Sequence, residues 1–484
     1  MNLDTINGRL NAIETFIQPE NVVPFESMTK SLRSISNMRT TLIGLRKGMI
    51  TGSTKNSYST SSNLWTSIRR FAFHALKIKE TFHEVIGSES LDIRTKFFEQ
   101  IEGYHLAQVG RKISDTVDLQ KSADECRTVV LEGIDVELDN MKRTFAGLDD
   151  LLSTVARSLS EKLPATFQAT LNVLYFPQIG FLITVPLDSE TNEAVYREDS
   201  WEHIFSTEDQ VYFKNNQMRE MDGHFGDLYG IISDREIEIC HELAQYILQY
   251  EEILARASDV CGELDSILAL SQAARLYKLC RPKVSQDNTL RIIGGRHILQ
   301  ELSVSSFVPN DTFLVGGPDI SHGSEMRLPD NLSGSHTYTQ PTGPSTLILT
   351  GPNYSGKSVY LKQVALIVYM AQIGSYVPAE TAQIGLTDRI LSRVTTRETV
   401  SRIQSAFMID LQQISQALSL ATSRSLLIVD EFGKGTDSSD GAGLACAVFN
   451  YLTCMGDRRP KMIAATHFHG LSSHYVLFRD VPSY

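Results

Sequence analysis

Apolar positions spaced three and four apart dominate the first 160 residues. LNAIETFI and LRSISNMRTTLIGLRK each lay an apolar stripe along one face of a helix. No proline interrupts the run between Pro24 and Pro164. The period then changes. LNVLYFPQIGFLITVP and QVYFKN are rich in β-branched and aromatic residues around Gly and Pro, which predicts a small β insertion inside a helical region. Helical spacing returns at Gln217. EIEICHELAQYILQYEEILARASDVCGELDSILALSQAARL runs to about Arg275 with Gly262 as its one breaker. Read as one helix it is a rod of about 60 Å, a lever rather than a compact core. Arg281-Pro282 ends the helices, and short apolar strands then alternate with helices, as in α/β folds. The predicted fold class is therefore multidomain, α plus α/β. Helical core and first lever helices occupy 1–160, the β-rich insertion 161–216, returning lever helices 217–280 and an α/β domain 281–484. A Gly/Pro/Ser-rich loop is expected over 316–345, and a Ser/Thr-rich polar loop over 51–63.

Composition narrows the function. The chain has 484 residues, enough for two or three domains with real cores. Its net charge of −12 argues against nucleic-acid binding through global charge. Residues 27–79 are the exception: Lys30, Arg33, Arg39, Arg46, Lys47, Lys55, Arg69, Arg70, Lys77 and Lys79 occur there with no Asp or Glu. Such a stretch suits a phosphate backbone, where each neutralised phosphate releases counterions. On charge alone, solvated helix faces or pairing with acidic segments downstream account for it somewhat better. The six cysteines form no C-x-x-C pair and read as reduced, mostly buried thiols of an intracellular protein. The first residues lack the features of a signal peptide, and no apolar stretch is long enough to span a membrane. The sequon at Asn331 reads as chance in a polar loop.

Three strand ends carry the chemistry. The apolar Leu347–Thr350 runs into Gly351-Pro352-Asn353-Tyr354-Ser355-Gly356-Lys357-Ser358 and a helical continuation. This is G-x-x-x-x-G-K-S in its strand–loop–helix setting. Glycines let backbone N–H groups turn in on phosphate oxygens, and the helix N-terminus adds partial positive charge. Lys357 is placed for the β- and γ-phosphates and the Ser358 hydroxyl for Mg²⁺. A second apolar strand ends at Asp430-Glu431, the first suited to holding Mg²⁺ through water, the second to orienting or deprotonating an attacking water. A third, Met462–Thr466, ends at His467, placed to sense the γ-phosphate.

GPNYSGKS, then IGSYVPAE, SAFMIDL, DEFGKGTDSSDG and AATHF, resemble in order and spacing the ATPase domain of the MutS family, DNA clamps with an ABC-type ATPase. Gly295-Arg296-His297, Phe307–Asp311, the opening LDTINGRLNAIETFI and the β insertion resemble the family too, so the likeness covers essentially the whole chain. SGKSVYLKQVALI, SYVPAE, DEFGKGT and YFPQIGFLITVP look most like its meiotic branch. The resemblance implies an ATP-dependent, Mg²⁺-requiring clamp subunit in the nucleus. It would act on branched or Holliday-type DNA in a heterodimer with MutS homologue 4. It implies that Phe307 stacks on adenine, that residues 351–358 bind phosphate, and that His467 is a switch. It also implies that Ser405 reaches the partner's γ-phosphate in trans.

Departures accompany the likeness. Ile403 and Ala406 stand where the family has Gly and Thr around that serine, which leaves its trans contribution open. Residues 165–225 carry three basic and ten acidic side chains, so this clamp is expected to enclose DNA or touch a partner rather than grip phosphate. The mismatch-reading front domains and the carboxy-terminal dimerisation segment are expected to lie outside this chain. Phe97-Phe98-Glu99 resembles the mismatch-reading F-x-E only superficially and reads as core packing. Two rival readings stay open: a mismatch-repair member without its recognition domain, and a nucleotide-binding subunit without turnover.

Overall fold

A computed structural model describes residues 2–51, 58–161, 171–187, 194–318, 343–352, 354–393, 406–434 and 436–468. In chain order the helices are α1 (Leu3–Phe16), α2 (Val22–Arg33), α3 (Met38–Thr51), α4 (Tyr58–Thr81), α5 (Asp92–Gln100), α6 (Gly103–Thr116), α7 (Leu119–Asp124), α8 (Val136–Ala146) and α9 (Leu148–Ser160). Strands β1 (Asn172–Phe176), β2 (Gly180–Pro186), β3 (Glu202–Ser206) and β4 (Gln210–Lys214) follow, then α10 (Asn216–Phe225), α11 (Leu228–Leu248) and α12 (Glu251–Leu276). The remainder alternates: β5 (Lys283–Ser285), β6 (Thr289–Gly295), α13 (Ile298–Glu301), β7 (Asn310–Val315), β8 (Thr346–Thr350), α14 (Lys357–Gln372), β9 (Thr381–Gly385), β10 (Ile390–Arg393), α15 (Ala406–Leu420), β11 (Leu426–Asp430), α16 (Ser438–Thr453) and β12 (Lys461–Thr466). None of the described helices is long and apolar enough to cross a membrane.

Two compact units form, and they do not follow chain order. One gathers Met1–Leu32, Ile78–Glu99 and Asp259–Tyr484; the other gathers Arg33–Lys77 and Gln100–Ser258. Residues 1–32 and 78–99, grouped by sequence with the helical core, thus belong with the α/β elements. The Arg9 guanidinium donates to the Ile373 carbonyl at 3.0 Å, anchoring α1 at the end of α14. Phe97 is fully buried with its ring 5.2 Å from that of Phe82, so the F-x-E look-alike is core packing.

In the second unit, β1-β2-β4-β3 make an antiparallel sheet. Its inner face (Phe181, Ile183, Val211, Phe213), with Trp201 just ahead of β3, shares one core with Leu138, Leu148, Leu152 and Leu228 of α8, α9 and α11. The insertion is stabilised by helices on both sides of it in sequence. Glu236 of α11 is buried there between Lys142, 2.7 Å away, and Arg127.

Two sequence expectations fail locally. The forty-residue rod breaks at Gln249-Tyr250, although neither residue is a helix breaker. The Tyr250 carbonyl accepts from Leu254 N–H at 2.9 Å, its ring packs 5.5 Å from His105, and Glu251 and Glu252 stand in the first turn of α12, where the helix dipole favours acids. The Ser/Thr-rich stretch is helical from Tyr58, the first turns of a 24-residue α4 that further along buries Trp65, Ile68 and Phe71. Tertiary burial overrides local polarity there. The cysteines are all free, but among them only Cys261 is fully buried; Cys126 and Cys454 are exposed at helix ends, where the chain turns out to solvent.

The first unit holds two sheets. β5-β9-β6-β7 is mixed, and β10-β11-β12-β8 is fully parallel. Every residue of β11 and β12 is buried, the near-continuous apolar run expected of a parallel strand covered on both faces. Ile414 of α15 and Ala445, Phe449 and Leu452 of α16 join one core with Leu427, Val429, Met462 and Ala464. α14 also packs against β11 and β12 and buries Leu361, Val364 and Ile367.

Candidate functional site

The three strand ends read from sequence meet at one edge. β12 pairs with β8 as Thr466↔Thr350 and with β11 as Ala465↔Asp430. The glycine loop, the two carboxylates and His467 therefore leave the sheet side by side at its carboxyl edge, where ligands bind in open α/β sheets.

The loop from Gly351 delivers the chain into α14. Gly356, at φ 95°, caps the helix in the left-handed region that a side chain disfavours. The Lys357 ammonium donates to the carbonyls of Gly351 at 2.7 Å and Pro352 at 2.8 Å, so the cation lies within the turn of its own loop. Ser358 follows in the first turn of α14, half-buried. Tyr354 is fully exposed, also at positive φ. A cleft of about 1400 Å³ is lined by Gly351, Pro352, Ser355, Gly356 and Lys357 and, from the mixed sheet's side, by Phe307. It has room for a nucleoside triphosphate.

Asp430 is buried, and its Oδ1 has no hydrogen-bond partner among the described residues. An orphaned buried carboxylate oxygen is what a cation or its water would satisfy. The donor set of Asp430 and Ser358, all oxygen, fits Mg²⁺. Glu431 has φ 54°, strained for a side-chain-bearing residue. Its two oxygens are both engaged: Lys434 donates to Oε2 at 2.8 Å, and His467 Nε2 contacts Oε1. Burial pushes the Glu431 carboxyl up, but the hydrogen bonds and charges of Lys434 and His467 outweigh it, leaving it below the usual carboxylate range. Gly433, at φ 91°, lets the turn pass against Gly441 of α16, where a Cβ would lie 2.6 Å from the Gly441 carbonyl oxygen.

Asn353 and Ser405 lie outside the described residues. The remaining cleft residues named from sequence gather here. Sequence reasoning missed Lys434, although a lysine three residues past the glutamate in a turn was a usable signal. It also missed Arg393 and Asp410, which meet beneath the carboxylates and carry no local signature.

The basic stretch is divided. Lys30 and Lys79 fall in the first unit; Arg33, Arg39, Arg46, Lys47, Arg69, Arg70 and Lys77 fall in the second. Lys30, Arg33, Arg39, Arg46, Lys47, Arg69 and Arg70 are exposed, and Arg46 pairs with Glu251. In the β insertion, Lys214 pairs with Asp222 at 2.5 Å and Arg219 with Glu202, so two of its three cations are neutralised internally.

The chain combines a parallel-sheet phosphate-type loop with a helical and β-insertion unit, and comparison with known proteins gives that combination a class. The family description MutS domain III matches residues 1–271, and MutS domain V matches residues 347–483. The chain belongs to the MutS family. It is similar to MutS protein homolog 5 of Saccharomyces cerevisiae, with 32% identity covering 99% of this chain and 52% of the yeast protein. MutS protein homolog 5 of Caenorhabditis elegans is 28% identical over 76% of this chain and 25% of its own length. DNA mismatch repair protein MutS of Synechococcus sp. (strain CC9311) is 30% identical over 71% of this chain and 34% of its own. The chain thus spans about half the length of the yeast relative and less of the other two.

Proposed function

We propose that the chain is an ATP-hydrolysing DNA clamp subunit that acts on branched DNA in meiotic recombination. The observation that carries the ATPase reading is the convergence of the Gly351–Ser358 loop, Asp430, Glu431 and His467 on one sheet edge. The loop and Lys357 bind the triphosphate, Phe307 stacks on the base, and Ser358 with Asp430 would hold Mg²⁺. When bound, Mg²⁺ supplies charge neutralisation on the phosphate oxygens. Glu431, ionised and oriented by His467, accepts a proton from water as that water bonds to the γ-phosphorus and the bond to the ADP oxygen breaks. Ser405 would complete the partner's site in trans, so turnover belongs to a pair of subunits.

Similarity to the two eukaryotic MutS homolog 5 proteins supports the meiotic assignment, with MutS homologue 4 as partner and the nucleus as compartment. DNA contact is assigned to the exposed cations Lys30, Arg33, Arg39, Arg46, Lys47, Arg69 and Arg70, of which Arg46 also pairs with Glu251. Such contacts position the protein without reading sequence. ATP-driven change would reach the cations of the second unit through helices such as α4 and α12, which contain two of the four boundaries between the units. It requires ATP to favour one of two states by a few kcal/mol.

The test is competition between a four-way junction and a mismatched duplex for the purified heterodimer, with ATP turnover measured alongside. Junction preference with turnover is expected. Mismatch preference would return the chain to the repair members, and nucleotide binding without turnover, by the chain alone and by the heterodimer, would leave a non-hydrolysing subunit.

A further inference from the structure

The peptide that joins the two carboxylates is held at both ends. The Glu431 N–H donates to the Ala465 carbonyl of β12 at 2.9 Å. The Asp430 carbonyl accepts from the Arg393 guanidinium at the end of β10. Arg393 is in turn gripped by Asp410 of α15, Nε to Oδ1 at 3.1 Å and Nη2 to Oδ2. Arg393, Asp410 and Asp430 are all buried. The task takes a planar fork: three donors are used at once, two on one carboxylate and one on a carbonyl. The point charge of a lysine cannot match that.

We propose that Arg393, fixed by Asp410, is a positioning residue for the hydrolytic carboxylate. With both ends of the 430–431 peptide pinned, its plane cannot rotate, and Glu431 is kept at the left-handed φ that directs its carboxylate to His467. Stability alone does not account for the pair, because a buried ion pair contributes little that well-packed apolar side chains would not. The arrangement also ties α15 to the carboxylates. A shift of α15 would move Asp410, and with it Arg393 and the 430–431 peptide. The inference rests on the ATPase reading above and makes α15 a support for the placement of Glu431.

The test compares the parent chain with the double variant Arg393→Met, Asp410→Leu, which removes both charges together and leaves neither buried alone. Arg393→Lys, which keeps the charge and loses the fork, is the second variant. Residue-resolved amide exchange is read without nucleotide, and kcat and KM for ATP are read with the partner subunit. In the double variant the Glu431 amide should exchange at least about tenfold faster while Leu427 and Ile428 keep parental rates. Its kcat should fall on the order of 10²-fold with KM within about twofold, the signature of a misplaced group rather than lost binding. Arg393→Lys should fall between the two. A parental Glu431 exchange rate, or faster exchange spread evenly over β11 and β12 with kcat and KM failing together, overturns the positioning role. A parent that binds but does not hydrolyse ATP would refute the ATPase reading instead, and Glu431 exchange would still decide this one.

Discussion

Lys461 opens β12 with its side chain almost wholly enclosed, its ammonium donating to Asn288 Oδ1. Burial, aided by the charge of Arg424 and opposed by Asp388, pushes this ammonium down from 10.5 to about 8. That drop corresponds to about 3 kcal/mol held against the folded state wherever lysine is protonated in both states. Between pH 8 and 10.5 the unfolded chain keeps its proton and the folded chain does not, so this group's contribution makes stability rise with pH across that window. Below pH 8 the full penalty applies. Replacing Lys461 with Met removes the penalty and one hydrogen bond worth about 1 kcal/mol, so a net gain of about 2 kcal/mol is expected at pH 7. The gap should close and then reverse slightly as pH rises to 10.5. Urea titration read by amide exchange of 426–430 and 461–466 measures this. Both tryptophans, Trp65 and Trp201, belong to the other unit, so their emission serves as the internal control and should not change. A variant less stable than the parent at pH 7, or a gap that widens from pH 8 to 10.5, would refute the reasoning.

Three further outcomes are expected. Glu236→Gln leaves Arg127 and Lys142 without their shared counter-charge and should cost about 2–4 kcal/mol, seen as a lower urea midpoint in tryptophan emission. Lys434→Met removes a donor and a charge that hold the Glu431 carboxyl down, so the acidic limb of the kcat–pH profile should move to higher pH. Reversing Arg69 and Arg70 to Glu should weaken DNA binding and flatten the plot of log affinity against log salt by about two; an unchanged slope returns them to solvated helix surface.

The site was legible where chemistry depends on neighbours in sequence. The glycine spacing, the Asp430-Glu431 strand end and the Thr466-His467 strand end each declare themselves within a few residues. Their meeting follows from parallel pairing through β12. Arg393 and Asp410 were hidden because a strand and a helix bring them together across residues the pattern does not link. The break at Tyr250 was hidden for a related reason: packing against His105, from another helix, decides it. α4 starts early because Trp65 and Phe71 bury further along, which no count of serines reveals. The division into units escaped a linear reading because α1 and residues 78–99 join a core supplied mainly by the last half of the chain.

The central claim is that the cleft between Phe307 and Lys357 is an ATP site. Equilibrium titration of Mg²⁺-ATP against the whole chain, alone and with the proposed partner MutS homologue 4, beside Lys357→Ala and Glu431→Gln, tests it most directly. The account expects saturable binding by the parent and by Glu431→Gln, at least about tenfold weaker binding by Lys357→Ala, and hydrolysis slowed about 10²-fold or more in Glu431→Gln. A parent with no affinity for adenine nucleotides in either setting, or a Lys357→Ala chain that binds as tightly as the parent, would contradict it.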